Sequence, residues 1–407
     1  MKILLICYIF PPEVAPAGVM VKELAEDLAA RGHSVTVQTG WPNHPQGKLF
    51  ADFRMRFCRT EKMGAFTLQR VAHVIAEKSS ATRRASVYGS FALSSLINGL
   101  RLPRHDAVFC ISTPVLGVWT AWALARIWRA RFVNVIFDLW PEAILNAGLI
   151  SESRMYRALR AADTLNCRWS DSISVLSEGM KREVIARDLP SDKIHVVPYW
   201  IDTERIRPQP RLNAWRDENG IAPTRFVALF AGTIGHASGA GVLCEAAKRL
   251  RERRDVLILF VGEGALKANL EATAKAERLE NVRFLPFQPE NRLNEVQATA
   301  DVGLVTLLEN AGKSSLPSKV LGYMAAGRPV VASASLDSDT AHLVNSVPCG
   351  VVCPPEDPDA LAAAILALAD DPERRADLGA RARRHVESTF SRTTVVDRYE
   401  ALIRGNL

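Results

Sequence analysis

Pro317-Ser318-Lys319 opens a run of small and apolar residues that Gly327-Arg328-Pro329 closes just before the strand-like stretch PVVASA. Proline suits a helix start and glycine a helix stop, so the spacing predicts a short helix beginning at Pro317. The first amides of a helix have no partner inside it, and an ammonium beside them makes that end suited to phosphate. Two other turns carry glycine in suggestive places. FVALFA is followed by Gly232-Thr233-Ile234-Gly235-His236-Ala237-Ser238-Gly239, and VLILFV by Gly262-Glu263-Gly264. Either turn alone reads equally as a flexible corner. Lying with Ser318 and Lys319 along one sheet edge, the three would specify a diphosphate far better than any one of them. His236 and Lys313 are further cations for the same charge.

A second group of residues could act on a hydroxyl. FDLWPE places Asp138 and Glu142 directly after an apolar run, bracketing Trp140 and Pro141. Carboxylates there can orient an acceptor hydroxyl or sugar, and an indole can stack on a sugar ring; a helix cap at Asp138 and a core tryptophan are the competing readings. Glu309 is the nearest acid before the Pro317 helix. Asp337 and Asp339 suit the shaping of a loop better than catalysis. Gly18, after Pro16 and Ala17, would let the first loop come close to a phosphate.

Apolar strand-like runs alternate with helical stretches from end to end, which predicts an α/β protein of parallel sheets with crossover helices. At 407 residues and 48% hydrophobic, the chain exceeds one ordinary core, so two domains are expected. The charged, proline-rich stretch after Thr203 reads as their connection, giving one domain over residues 1–203 and a second over 204–389. Seven scattered cysteines, mostly within apolar runs and never as CxxC, read as buried thiols in a reducing compartment. The first residues resemble a signal peptide superficially, but Pro11, Pro12 and Glu13 follow at once and the run reads as a first strand. No apolar run reaches the roughly 18 residues that span a bilayer.

A net charge of +7 favours an anionic partner: nucleotide sugar, membrane surface or nucleic acid. Without zinc-knuckle spacing, an RNP-like aromatic run or a dense basic block, nucleic acid falls away. Lys78, Arg83 and Arg84 precede Tyr88, Phe91, Leu93, Leu96 and Ile97, a basic and then apolar stretch. It reads as a surface touching anionic lipid or as a helix pair packed on its sheet.

The segments CYIFPPEVAPAG, GWPNHPQGKL, FDLWPE, SEGM, PYWID, AGTIG, LPSKVLGYMAAGRPVVAS and DSDTA carry a resemblance over residues 3–403. The chain resembles the retaining glycosyltransferases of family four, in particular their bacterial O-antigen and colanic-acid branch, which includes fucosamine transferases. The resemblance implies a GT-B fold with two Rossmann-like domains facing a cleft, and a last helix, residues 390–407, returning to the N-terminal domain. It implies a nucleotide-diphosphate sugar such as a UDP-sugar as donor, with hexosyl or N-acetylhexosaminyl transfer. The donor would lie against Gly18, Gly232, Thr233, Gly235, His236, Gly262, Glu263, Lys313, Ser318 and Lys319. Asp138, Glu142, Glu309 and Lys319 are the implied catalytic candidates, and Trp140 with Asp138 would hold the acceptor. A polyprenyl-linked saccharide is the implied acceptor, with no cofactor, no metal and no nucleic acid. The implied location is cytoplasmic and peripheral, at the inner face of the plasma membrane. Three departures stand out. Ser314 and Gly322 occupy the places of the family's paired glutamates. Thr233 and Ser238 replace its usual Arg and Lys, and Phe137-Asp138 its His-Asp. They keep open a non-catalytic partner of the same fold, and a sugar-nucleotide epimerase.

Overall fold

The computed structural model describes residues 1–13, 15–77, 81–142, 145, 153–235, 238–309 and 316–407. It divides into two compact units. The first comprises Met1–Leu176, Met180–Val197 and Val396–Leu407, and the second Ser177–Gly179 and Pro198–Val395.

The first unit holds strands β1 (Lys2–Ile6), β2 (Ser34–Gly40), β3 (Cys58–Met63), β4 (Phe66–Val71), β5 (Ala107–Ile111), β6 (Arg131–Ile136), β7 (Ser172–Val175) and β8 (Ile194–Val196). Its helices are α1 (Pro16–Ala30), α2 (Ala81–Gly99), α3 (Val115–Trp128), α4 (Arg154–Trp169) and α5 (Glu178–Ile185), the last beginning at the boundary between the units. The strands pair in the order β3-β4-β2-β1-β5-β6-β7-β8, all parallel except β3 against β4. The apolar runs identified in the sequence become β1, β2 and β5 to β8. The β3–β4 pair does not follow from them: CRTEKM is a largely exposed edge strand with no apolar face. FTLQRV buries Gln69 and Arg70.

Those buried polar groups hold the loops at the carboxyl edge of the sheet. Arg70 donates to the carbonyls of Pro11 at 2.6 Å and Gly40 at 3.3 Å. Glu13, 1% exposed, accepts from the amides of Asn43 (2.9 Å), His44 (2.8 Å) and Phe10 (3.3 Å). One carboxylate thereby satisfies three amides in two loops, which a buried charge requires.

Helix α3 takes up the apolar run from Val115 to Leu124. Val118, Ala121 and Leu124 are enclosed, and the αL residue Arg129 (φ 54°) stops it. Val87 and Phe91 of α2 join Val118 and Ala121 in one core cluster, so the basic and apolar stretch after Lys78 forms a helix packed beside α3. Lys78 itself lies outside the described residues. No helix among the described residues is long and apolar enough to cross a membrane.

The second unit contains β9 (Phe226–Ala231), β10 (Val256–Val261), β11 (Val282–Leu285), β12 (Val302–Thr306), β13 (Val330–Ser333) and β14 (Gly350–Cys353). Between and after them run α6 (Ala214–Glu218), α7 (Gly241–Arg249), α8 (Lys267–Ala276), α9 (Leu293–Thr299), α10 (Ser318–Ala325), α11 (Asp339–Ser346), α12 (Pro358–Ala369) and α13 (Pro372–Thr389). The order β11-β10-β9-β12-β13-β14 is wholly parallel. Side chains alternate faces along each strand: Phe226, Ala228 and Phe230 enter one core cluster, Val227 and Leu229 the other. A sheet covered on both faces needs apolar residues at every position, and its strands therefore read as unbroken apolar runs.

The last helix, α14 (Arg392–Arg404), contributes its residues from Val396 onward to the first unit. Tyr399, Leu402 and Ile403 are fully buried, with the Tyr399 ring edge-on to Phe109 of β5 at 5.6 Å. Glu400 accepts from Arg31 at 2.7 Å and Arg404 at 2.9 Å and lies 3.0 Å from His33 Nε2. The Arg31 hydrogen bond is the main cause holding its carboxyl at about 2, well below the usual range. A depressed carboxylate contributes stability above its unfolded pKa and loses it as pH falls toward the folded value. Glu400→Gln is therefore expected to lower the thermal midpoint at neutral pH. In melting curves, the deficit should close as pH falls through 4.5 toward about 2.

Candidate functional site

Strand order in the second unit reverses between β9 and β12: β10 and β11 continue on one side, β13 and β14 on the other. At such a reversal the connections after the two strands diverge, leaving room for a ligand beyond their carboxyl ends. The loops after β9 and β10 and the start of α10, which follows β12, reach this edge. All belong to one unit.

Helix α10 starts without a side-chain cap. Pro317 occupies the capping position in extended conformation (ψ 132°) and offers no side-chain acceptor. The Val320 amide turns back to the Pro317 carbonyl at 3.0 Å. Among the described residues, the amides of Ser318 and Lys319 have no partner, the arrangement in which a helix end attracts an anion. At the other end, Gly327 (φ 67°) donates to Met324 and Arg328 donates to Tyr323 at 2.9 Å, closing the helix as the sequence predicts.

Lys319 bends over the end of β9. Its Nζ lies 3.4 Å from the Phe230 ring centroid, and a Cβ on Gly232 would be 3.5 Å from its Cε. Gly232 takes φ 130°, which glycine alone adopts readily, and its bare Cα leaves the lysine room. No carboxylate among the described residues pairs with this ammonium. Desolvation lowers its pKa to about 7, a shift that corresponds to roughly 5 kcal/mol. The ring's attraction, up to about 2 kcal/mol, is too small to offset that loss. Among the described residues Lys319 thus has no counterion, and an arriving anion would favour its protonated form.

The glycine turns work differently from one another. A Cβ on Gly262 would stand 1.9 Å from the Gly232 carbonyl, and one on Gly264 2.3 Å from that of Ile234. The space these glycines provide is filled by the β9 loop itself. The amides of Gly232, Ile234 and Gly262 likewise donate to Val261, Glu263 and Leu285, each at 2.9 Å. The two turns thus fasten to each other through these groups, while the amides of Ser318 and Lys319 at α10 stay without a partner among the described residues. Thr233 is exposed, Gly235 part-buried, and the Glu263 carboxylate is tied to Lys267 at 2.6 Å. Glu309 is exposed at the start of the connection to α10. His236, Lys313 and Ser314 lie outside the described residues.

Two side chains that the sequence reading did not single out hold this edge. Phe230 supplies the face beneath Lys319. Tyr323, fully buried in α10, accepts the Ala231 amide on its hydroxyl at 2.8 Å, just before Gly232. Gly303 makes room, since a Cβ there would be 2.1 Å from the Tyr323 ring. One polar-tipped residue amid the small residues of α10 was the available signal. Gly322, in the place of the second family glutamate, is buried, with Gln297 Nε2 3.1 Å from where a Cβ would stand.

The remaining candidates belong to the first unit. Asp138, past the end of β6, is exposed; the surrounding chain raises its pKa by desolvation, muted on the open side. Glu142 is engaged on both oxygens, by Arg187 at 2.7 Å and Arg160 at 3.1 Å. Arg187 also binds Asp163 and the Trp140 carbonyl, so Glu142 and Trp140 are braced in one buried charge network. Gly18 sits in α1, where a Cβ would stand 2.7 Å from the Ile9 carbonyl, so packing of the helix on its own loop requires it.

Two Rossmann-like units, the second with an uncapped helix start and a lone ammonium at its switch point, define an α/β glycosyltransferase architecture of the GT-B type. Residues 213–385 match the sequence model of Glycosyl transferases group 1, and residues 17–200 that of a Glycosyl transferase 4-like domain. The chain is 28% identical, over all of both chains, to an Escherichia coli (strain K12) protein provisionally named as a colanic acid biosynthesis glycosyl transferase, WcaI. Among solved structures it resembles sucrose-phosphate synthase from Thermosynechococcus elongatus, with TM-score 0.76, 18% identity and coverage of 99% and 98%. It also resembles Anabaena HepE in complex with UDP-glucose, with TM-score 0.70, 17% identity and 100% coverage of both chains. Each model matches one half of the chain, and the protein is a glycosyltransferase enzyme.

Tyr323→Phe is expected to strand the Ala231 amide and cost about 1–3 kcal/mol, read by chemical denaturation. Lys319→Met should instead raise stability at pH 7. The charge penalty is complete below the folded pKa of about 7 and relieved toward 10.5, so the gain should shrink over that interval.

Proposed function

We propose that the enzyme transfers a hexosyl or N-acetylhexosaminyl residue, with retention, from a nucleotide-diphosphate sugar to a lipid-linked saccharide during surface polysaccharide synthesis. The observation carrying the reading is Lys319: a desolvated ammonium without a counterion, beside the uncapped amides of Ser318 and Lys319. The name of the E. coli relative supports the polysaccharide setting, and the UDP-glucose complex of HepE supports a UDP-sugar donor.

The reaction makes a bond between the acceptor oxygen and the anomeric carbon while the bond from that carbon to the diphosphate breaks. Attack comes on the face the leaving group vacates, and a diphosphate oxygen takes the acceptor's proton. Products are the new glycoside and the nucleoside diphosphate. Negative charge grows on the leaving group, so fixed donors aimed at it stabilise the transition state more than the ground state. Lys319 and the α10 amides meet that charge without needing a metal ion. Exposed Asp138 orients the acceptor hydroxyl. The acceptor is a polyprenyl-diphosphate saccharide, and the enzyme works at the inner face of the plasma membrane.

Purified protein titrated calorimetrically with UDP-, GDP- and dTDP-sugars should bind one class and take up protons as it does so above pH 7. Lys319→Ala should lower kcat/KM at least about a hundred-fold, the range for a lost oxyanion-type donor. Failure of the folded protein to bind any of these sugars would overturn the reading.

A further inference from the structure

Helix α4 turns an apolar face to solvent. Met155 is 53% exposed, Leu159 39% and Leu165 38%. At helical spacing these three and the small residues Ala158 and Ala162 fall within one arc. Beyond the end of α4 the apolar surface continues onto α3. Trp169 stacks on Trp122 at 4.4 Å, and Trp119, 43% exposed, lies edge-on to it at 6.2 Å.

Exposed charge on this helix has one sign. Arg154, Arg157 and Arg168 line one flank of the arc, are exposed, and pair with no carboxylate among the described residues. Arg160 is tied to Glu142, and the only acid of α4, Asp163, is buried against Arg187. Scattered exposed apolar residues are ordinary. An apolar arc flanked by arginines, with no exposed acid and a tryptophan at its end, has the build of a helix lying in a lipid–water interface. Arginine keeps its guanidinium at phosphate level while its stem lies along acyl chains.

We infer that α4, with Trp119 of α3, is the face by which this protein docks on an anionic phospholipid surface, the helix lying in the plane of the membrane. The inference deepens the proposed function and rests on its lipid-linked acceptor. It moves the contact from the stretch after Lys78, whose Val87 and Phe91 are committed to the core.

Flotation of the full-length protein with phosphatidylcholine vesicles, with and without phosphatidylglycerol, tests this. The parent should float with anionic vesicles only. Arg154→Gln/Arg157→Gln/Arg168→Gln should weaken that binding about a hundred-fold, since each arginine near such a surface contributes about fivefold. Met155→Ser/Leu159→Ser/Leu165→Ser should abolish insertion, read as loss of the blue shift of tryptophan emission. Arg83→Glu/Arg84→Glu should float like the parent. Circular dichroism and thermal midpoints confirm that each variant is folded. Undiminished flotation of both folded α4 triple variants overturns the inference, as does loss of self-association in sedimentation with vesicle binding unchanged, which would make the face a contact between copies. Sugar transfer to a soluble acceptor, measured in parallel, reports on the proposed function separately.

Discussion

A charge held away from water without a partner is the constraint on which the second unit turns. Lys319 sits over Phe230 with solvent partly excluded, and the ring cannot replace what water gave. Nothing about the lysine alone keeps it there; the surrounding frame does. The Tyr323 hydroxyl pins the end of β9, Gly303 admits its ring, and the β9 and β10 loops interlock where Gly262 meets the Gly232 carbonyl. A frame built from backbone contacts at ångström tolerance deforms little, so the ammonium has no easy retreat into solvent. Unfavourable burial of this kind is a common cost of a binding site.

The first unit solves a related problem with opposite means. Its carboxyl-edge loops are fixed by buried charges that are hydrogen-bonded: Glu13 gathers three amides, Arg70 two carbonyls, and Arg187 joins Glu142, Asp163 and the Trp140 carbonyl. Satisfied buried charge rigidifies, whereas unsatisfied charge waits for a ligand. The contrast separates Glu142, whose oxygens are both taken, from Asp138, whose carboxylate takes part in no ion pair among the described residues.

Much of this architecture was legible in the sequence. Strands covered on both faces spell continuous apolar runs, so β5 to β14 and the short α10 with its Gly327 stop could be read directly. The β3–β4 pair was not, because an exposed edge strand and a strand with a buried arginine lack that signature. At the site, residue types pointed to Lys319 and the uncapped start of α10, since a proline before Ser-Lys cannot cap. Gly262 and Gly264 announced a close approach, but residue type alone does not say that the neighbouring turn is what comes close. Phe230 and Tyr323 escaped notice because their roles arise from strands and helices meeting across many residues of sequence.

The last helix has a consequence for how the molecule is made. Tyr399 covers Phe109 of the central strand β5, close to three hundred residues upstream, and Leu402 and Ile403 beside it are buried. On the ribosome, the earlier unit must wait with that apolar surface bare until the whole second unit has been synthesised, whereas the later unit can fold as it emerges. Completion of the N-terminal core therefore follows synthesis of the whole second unit, and a nascent chain that stalls before α14 exposes a sticky seam for chaperones or proteases to find.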